Sequence, residues 1–250
     1  MKELYSLLSF ANREQRANLS KLINAGFGDS PQSLCDHLKF LRAGAIGQVC
    51  ADPSWKQIVT DVADHIRIDW QATLEGRSWR ELPTQDIENA VVKALFSDLM
   101  AHLSPQQQRQ VVLQMKGSTQ NTQLDALLST GGVMAAARMS GFGVYIMAST
   151  VLGGLTHAVG MTLPFSSYLG MSQAIALVLG PVGWVALAGG MLHSHQSHWE
   201  KLTRAVAYVA VIRASQEPSC QLFIKGDWDQ AIAFTINGRS PTVRANSMSR

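Results

Sequence analysis

The sequence predicts a mainly α-helical protein: a helical bundle, then a long uncharged glycine-rich helical hairpin, then a small β-prone C-terminal tail. Three observations predict it. Apolar residues recur at helical spacing through residues 1–130. Residues 139–199 contain no Asp, Glu, Lys or Arg. Beyond residue 216, two short β-prone runs flank Gly226-Asp227. The implied organisation is an amphipathic bundle over 1–130, the hydrophobic hairpin and a following helix over 131–216, and a β-prone or disordered tail over 217–250.

The bundle is read element by element. Leu4, Leu7, Leu8 and Ala11 share one helical face, as do Leu19, Leu22 and Ile23. "AGFGDSPQSL" breaks that pattern, and Ser30 with Pro31 opens a new helix: serine caps, and proline sits where its missing N–H costs nothing. Asp52-Pro53 is expected to repeat the device before "SWKQIVTDVADHIRI", in which Trp55, Ile58, Val59, Val62 and Ile66 line one face. "EGRSWRELPTQD" reads as a loop or turn. Ile87, Val91, Leu95, Leu99 and Leu103 then form one stripe. Ser104-Pro105-Gln106-Gln107 is close to a capping box for the next helix. After the hairpin, Trp199, Leu202, Val206, Val209 and Ile212 lie on or near one face of a further helix.

The totals bound the function. In 250 residues, charged side chains make up only 16%, against roughly 25% in ordinary soluble domains. The net charge of +3 permits contact with anionic lipid but gives no electrostatic footprint for nucleic acid. Cys35, Cys50 and Cys220 have neither CxxC nor zinc spacing and read as reduced thiols. The N-terminus "MKELYSLLSFANREQRANL" lacks an apolar core and a cleavage site of the secretory kind, which places synthesis in the cytoplasm.

The charge-free segment divides in two. Gly141–Leu163 and Tyr168–Leu192 each exceed the roughly 20 residues that cross a bilayer core. "PFSS" between them is short enough to force an antiparallel hairpin. The membrane-facing candidates of the first arm are Phe142, Tyr145, Leu152, Leu155 and Leu163. Those of the second are Tyr168, Leu169, Ile175, Leu179, Pro181, Trp184, Leu187 and Leu192. Three arrangements fit. A transmembrane hairpin fits the length and the flanking cations Arg138, Lys201 and Arg204, which put both ends on the cytoplasmic side. A hairpin sheathed by amphipathic helices and inserted on release fits the surrounding bundle, as in pore-forming colicin-type domains. A glycine-rich helical core with no membrane role fits Gly153-Gly154 and the kink that Pro181 imposes.

Residues able to carry chemistry are few. His193, His195 and His198 form HxHxxH beside the second arm, with Trp199 placed to sit at headgroup depth. They and His157 are candidates for pH sensing or for an interface, because imidazole gains charge near pH 6. A metal would need more ligands than this segment offers, and none is assigned. Asp61 and His65 are four apart and able to pair on one helical face, with Asp64 and Asp69 nearby; a solvated face explains them better than a catalytic one. Ala43–Gly47, "AGAIG", is too short for a phosphate loop and has no strand before it. No nucleophile elbow, HExxH or P-loop motif occurs, so the chain reads as non-enzymatic and without a cofactor.

The order of "WKQIVTDVADHIRIDW", "TQDIENAVVKALFSDLMAHLSPQQQRQVV", "LGPVGWVALAGGML" and "WEKLTRAVAYVAVIRA" resembles the YaaW-like family of bacterial proteins, grouped with the ubiquinol–cytochrome c chaperone superfamily. The resemblance covers roughly Leu34 to Ala214, and its most specific piece is Leu179-Gly-Pro-Val-Gly-Trp184. The chain departs from that pattern in the tail after Glu217. The resemblance implies a helical protein that assists assembly of a membrane complex, and it carries over no catalytic residue.

The expected function is therefore membrane association through the hairpin, inserting into or permeabilising a bilayer as a toxin or defence effector does, at the inner membrane. The alternative is a chaperone-like binding protein for a membrane complex, cytoplasmic or peripheral. The expected partner is a lipid bilayer, with a homo-oligomer or a protein client as further partners and no nucleic acid.

Overall fold

Why six stretches of this chain become helices is visible at their ends. The computed structural model describes residues 1–26, 28–50, 52–69, 78–101 and 197–217, together with Ala148 and Val151; side chains at 45–50, 99–100 and 197 are not included. Helix α1 (Lys2–Phe10) buries Leu4, Leu7 and Leu8, the i, i+3, i+4 set of one face. Its opposite face leaves Tyr5 46% and Phe10 79% exposed.

Asn12 opens α2 (Arg13–Ile23) with a capping box: its side chain accepts from the Gln15 N–H at 2.8 Å, and Gln15 Oε1 accepts from the Asn12 N–H at 3.0 Å. Asn24 ends α2 in left-handed backbone, φ 55°, and its N–H donates to the Lys21 carbonyl. Asparagine tolerates this conformation better than most residues.

Helix α3 (Pro31–Cys50) starts as expected. Ser30 Oγ accepts from the Ser33 N–H at 3.1 Å, and Pro31 is the first helical residue. At Gly44, φ 69° and ψ 179° interrupt the helix, so α3 is two segments joined by a kink. A β-carbon there would have open space, so it is the backbone angle that favours glycine. "AGAIG" is thus a bent helix.

The next cap corrects an expectation. Asp52 does not cap α4; it pairs with Lys39 at 2.5 Å. Ser54 caps α4 (Trp55–His65), because Gln57 three residues on completes a reciprocal box. Trp55, Ile58, Val59 and Val62 are buried, and Ile66 closes the helix, packed partly buried against the core. Arg67, φ 58°, turns the chain out, and the Ile68 N–H reaches back to the Ala63 carbonyl. Within "EGRSWRELPTQD" the structure has a short 3-10 turn, Trp79–Glu81, and helix α5 (Thr84–Ala101) follows it.

Helix α6 (Ser197–Ser215) differs from the one-faced helix expected. Every residue from Leu202 to Val211 is buried, so α6 is surrounded on all sides. It packs against α2, α3, α4 and α5, while α4 packs on α5 and α1 on α3. Trp55, Phe96 and Tyr208 are the largest wholly buried side chains of this single core. Each such apolar group contributes about 1.5–3 kcal/mol of burial, which is why the bundle tolerates a few buried polar groups. Ala148 and Val151, three apart and helical, belong to the same core.

Candidate functional site

Two polar constellations stand out among the described residues. The first begins with Glu88 on α5, which occupies the buried stripe with Val91, Val92 and Leu95 at i+3, i+4 and i+7. Its carboxyl is wholly inside the protein. Three N–H donors meet it: Trp55 Nε1 at 2.5 Å to Oε1, Arg213 Nη2 at 2.9 Å to Oε1, and Arg213 Nε at 2.7 Å to Oε2. Arg213 extends the network outward, donating from Nη2 to Glu3 Oε1 at 3.0 Å, and Thr84 Oγ1 donates to Glu3 Oε2 at 2.7 Å. Four helices, α1, α4, α5 and α6, are tied at one point.

Electrostatics there are finely opposed. Burial pushes the Glu88 carboxyl up, while the Arg213 and Trp55 hydrogen bonds pull it down. Burial also works against the Arg213 charge, but Glu88 and Glu3 more than offset it and raise the guanidinium. Three donors on two oxygens suit an ionised carboxylate, which only accepts. The arrangement ties helices together, and among the described residues no nucleophile stands beside a base in it.

The second constellation lies where α6 begins. Trp199 stacks on His65 of α4, ring centroids 4.8 Å apart and planes 10° from parallel. His198 lies 6.1 Å from the Phe40 ring of α3, and Phe40 lies 5.9 Å from His37. His37 Nε2 donates to the Ile23 carbonyl at the end of α2, 3.1 Å away. The neighbouring acid Asp61 receives Arg42 Nε at 2.5 Å. Asp61 and His65 thus take partners on other helices, Arg42 and Trp199. Asp64 stands beside His65 on α4, and Asp69 follows that helix. Among the described residues no three His, Cys, Asp or Glu side chains are gathered to hold a metal.

Of the residues singled out in the sequence, His198 and Trp199 are brought into this second cluster. Phe142, Tyr145, Leu152, Leu155, Leu163, Tyr168, Leu169, Ile175, Leu179, Pro181, Trp184, Leu187 and Leu192 lie outside the described residues, as do His157, His193 and His195. Among the described residues no helix is long and apolar enough to cross a membrane. Sequence reasoning missed Glu88, Arg213, Glu3 and His37. The signal for Glu88 was present: it is a charge within an apolar helical stripe. Nothing in the sequence linked it to a partner 125 positions away.

Compared with family models, with curated proteins and with solved structures, the chain matches none.

Proposed function

We propose that this is a non-enzymatic helical protein that associates with a lipid bilayer through its charge-free hairpin, held at both ends by the bundle and inserting into or permeabilising the membrane. One observation carries the reading. The chain is free of charge from residue 139 to 199, yet Ala148 and Val151 near its start and α6 at its end are packed into one core with the amphipathic helices. On this reading, a segment able to enter lipid is anchored by helices that present apolar faces inward. This supports the sheathed arrangement over a freely spanning one. Arg138 before the segment and Lys201 after it are the cations that would keep both ends on the side of anionic headgroups, while Arg204 is enclosed by the bundle.

The test is release of trapped dye from liposomes of mixed neutral and anionic lipid by the full-length protein. Leakage at micromolar concentration or below, abolished by Ala186→Asp or Val178→Asp, supports the reading. Leakage that is absent, or unchanged by these charges at the hairpin, overturns it.

A second reading has its own observation. Tyr5 and Phe10 expose apolar rings on α1, 46% and 79% accessible. A chaperone-like protein that assists a membrane complex, as the YaaW-like resemblance implies, would offer such rings to a client. Under that reading expression is harmless, no dye escapes, and Phe10→Ser releases a co-purifying membrane-complex subunit.

A further inference from the structure

We propose that the seam between α3 and the first turn of α6 is an acid-sensitive latch, in which protonation of the half-buried His37 beside His198 and Lys201 loosens α6 where the charge-free segment joins the bundle. The latch itself stands on the packing of the bundle; its use in freeing the hairpin rests on the function proposed above.

The geometry is that of a neutral contact. His37 is half-buried, and its Nε2–H is committed to the Ile23 carbonyl. Phe40 bridges His37 and His198 with ring contacts on both sides. Lys201, one turn of α6 from His198, adds a permanent positive charge. Burial lowers the His37 imidazole below its ordinary range; the Ile23 carbonyl opposes this, and Lys201 and His198 lower it further.

The other charges around the seam are committed. Asp36 accepts from Gln32, Lys39 pairs with Asp52, and Arg42 pairs with Asp61. On α4, Asp64 and His65 are adjacent, and His65 is held against Trp199. Glu200 follows Trp199 on α6, and Lys21 lies in the last turn of α2. Among the described residues no carboxylate is paired with His37, so protonating it places a further cation beside Lys201.

The sign follows from linkage. His37 binds its proton less readily folded than unfolded, so its contribution is whole above the unfolded value of about 6.5 and is lost as pH falls toward the lower folded value.

Hydrogen exchange of the full-length protein without lipid decides the matter. The amides of Lys201, Leu202 and Thr203 are the first in α6 with a carbonyl four residues back. After correction for intrinsic rates, their protection should fall several-fold between pH 7.5 and 5.5, the direction that a lowered His37 imidazole sets. His37→Gln keeps a donor for Ile23 and gains no charge; it should hold the change within about twofold. Lys201→Gln leaves that hydrogen bond alone and should shrink the change, which keeps the test valid if His37→Gln folds poorly. Protection independent of pH, an equal fall in either variant, or a His37 imidazole titrating by NMR at or above its ordinary value overturns the latch. Because no lipid is present, its failure is separable from failure of the liposome experiment.

Discussion

Arg213 on α6 grips the wholly buried Glu88 carboxylate of α5 with two hydrogen bonds, Nε to Oε2 at 2.7 Å and Nη2 to Oε1 at 2.9 Å. Such a pair contributes little net stability over a well-packed apolar pair, since desolvation offsets most of the attraction. Breaking it is another matter. Glu88→Gln leaves the Arg213 charge without its buried partner, and Arg213→Met leaves the carboxylate with Trp55 alone. Each should cost about 3–5 kcal/mol in urea denaturation. The double variant Glu88→Leu/Arg213→Met should recover most of that loss, and a strongly non-additive double-mutant cycle is the expected signature.

Two backbone positions predict opposite outcomes. Arg67 holds φ 58°, which strains a residue with a β-carbon, and its carbonyl-closing turn needs no side chain. Arg67→Gly should stabilise the protein by about 1 kcal/mol. Gly44 holds φ 69° at the kink of α3, with open space around the missing β-carbon. Gly44→Ala should destabilise by about 1–3 kcal/mol through the backbone alone. Thermal denaturation of the two variants should move the midpoint in opposite directions.

How much of this was legible in the sequence follows from the range of each interaction. The stripe Leu4, Leu7, Leu8 and the stripe Ile58, Val59, Val62 announced their helices, because a helix shows its buried face in four residues. The start of α3 at Ser30-Pro31 was readable for the same reason. Asp52 and Ser54 were two short polar residues competing for one cap, and the distinguishing mark was Gln57 three residues after Ser54. The burial of α6 on all sides was legible only as composition, in "RAVAYVAVI", since a helix apolar all round has no face to read. The Glu88–Arg213 pair and the His37–Phe40–His198 contacts join distant parts of the chain, and no local period encodes them.

Cys35 sits in the core of α3, and burial pushes its thiol up to about 11. At pH 8 it is almost wholly protonated, and the thiolate is the reactive form. In a Cys50→Ser/Cys220→Ser background it should resist a thiol-modifying disulfide reagent at pH 8 and react fully once urea unfolds the chain. The folded state holds this proton more tightly than the unfolded, so the thiol contributes stability that is present below pH 9 and lost as pH rises toward 11. Cys35→Ala should flatten the alkaline limb of stability against pH, measured between pH 8 and 10.

Arg204 is the one cation of α6 that the core has enclosed without full compensation. Its Nε is buried and has no hydrogen-bond partner among the described residues. Burial lowers its guanidinium, and Glu200, one turn earlier, only partly restores it. Arg213, nine residues on along the same helix, shows what a compensated guanidinium looks like, with two carboxylates in contact. A buried donor left without an acceptor costs about 1–3 kcal/mol. Arg204→Met keeps the length of the stem and removes the desolvated charge, so it should raise stability by about 1–3 kcal/mol in urea denaturation. If Arg204 instead serves the hairpin as a headgroup contact, the same variant should also weaken binding to anionic vesicles while leaving binding to neutral ones unchanged. Measured together, stability and vesicle binding separate a residue that the fold merely tolerates from one kept for the membrane.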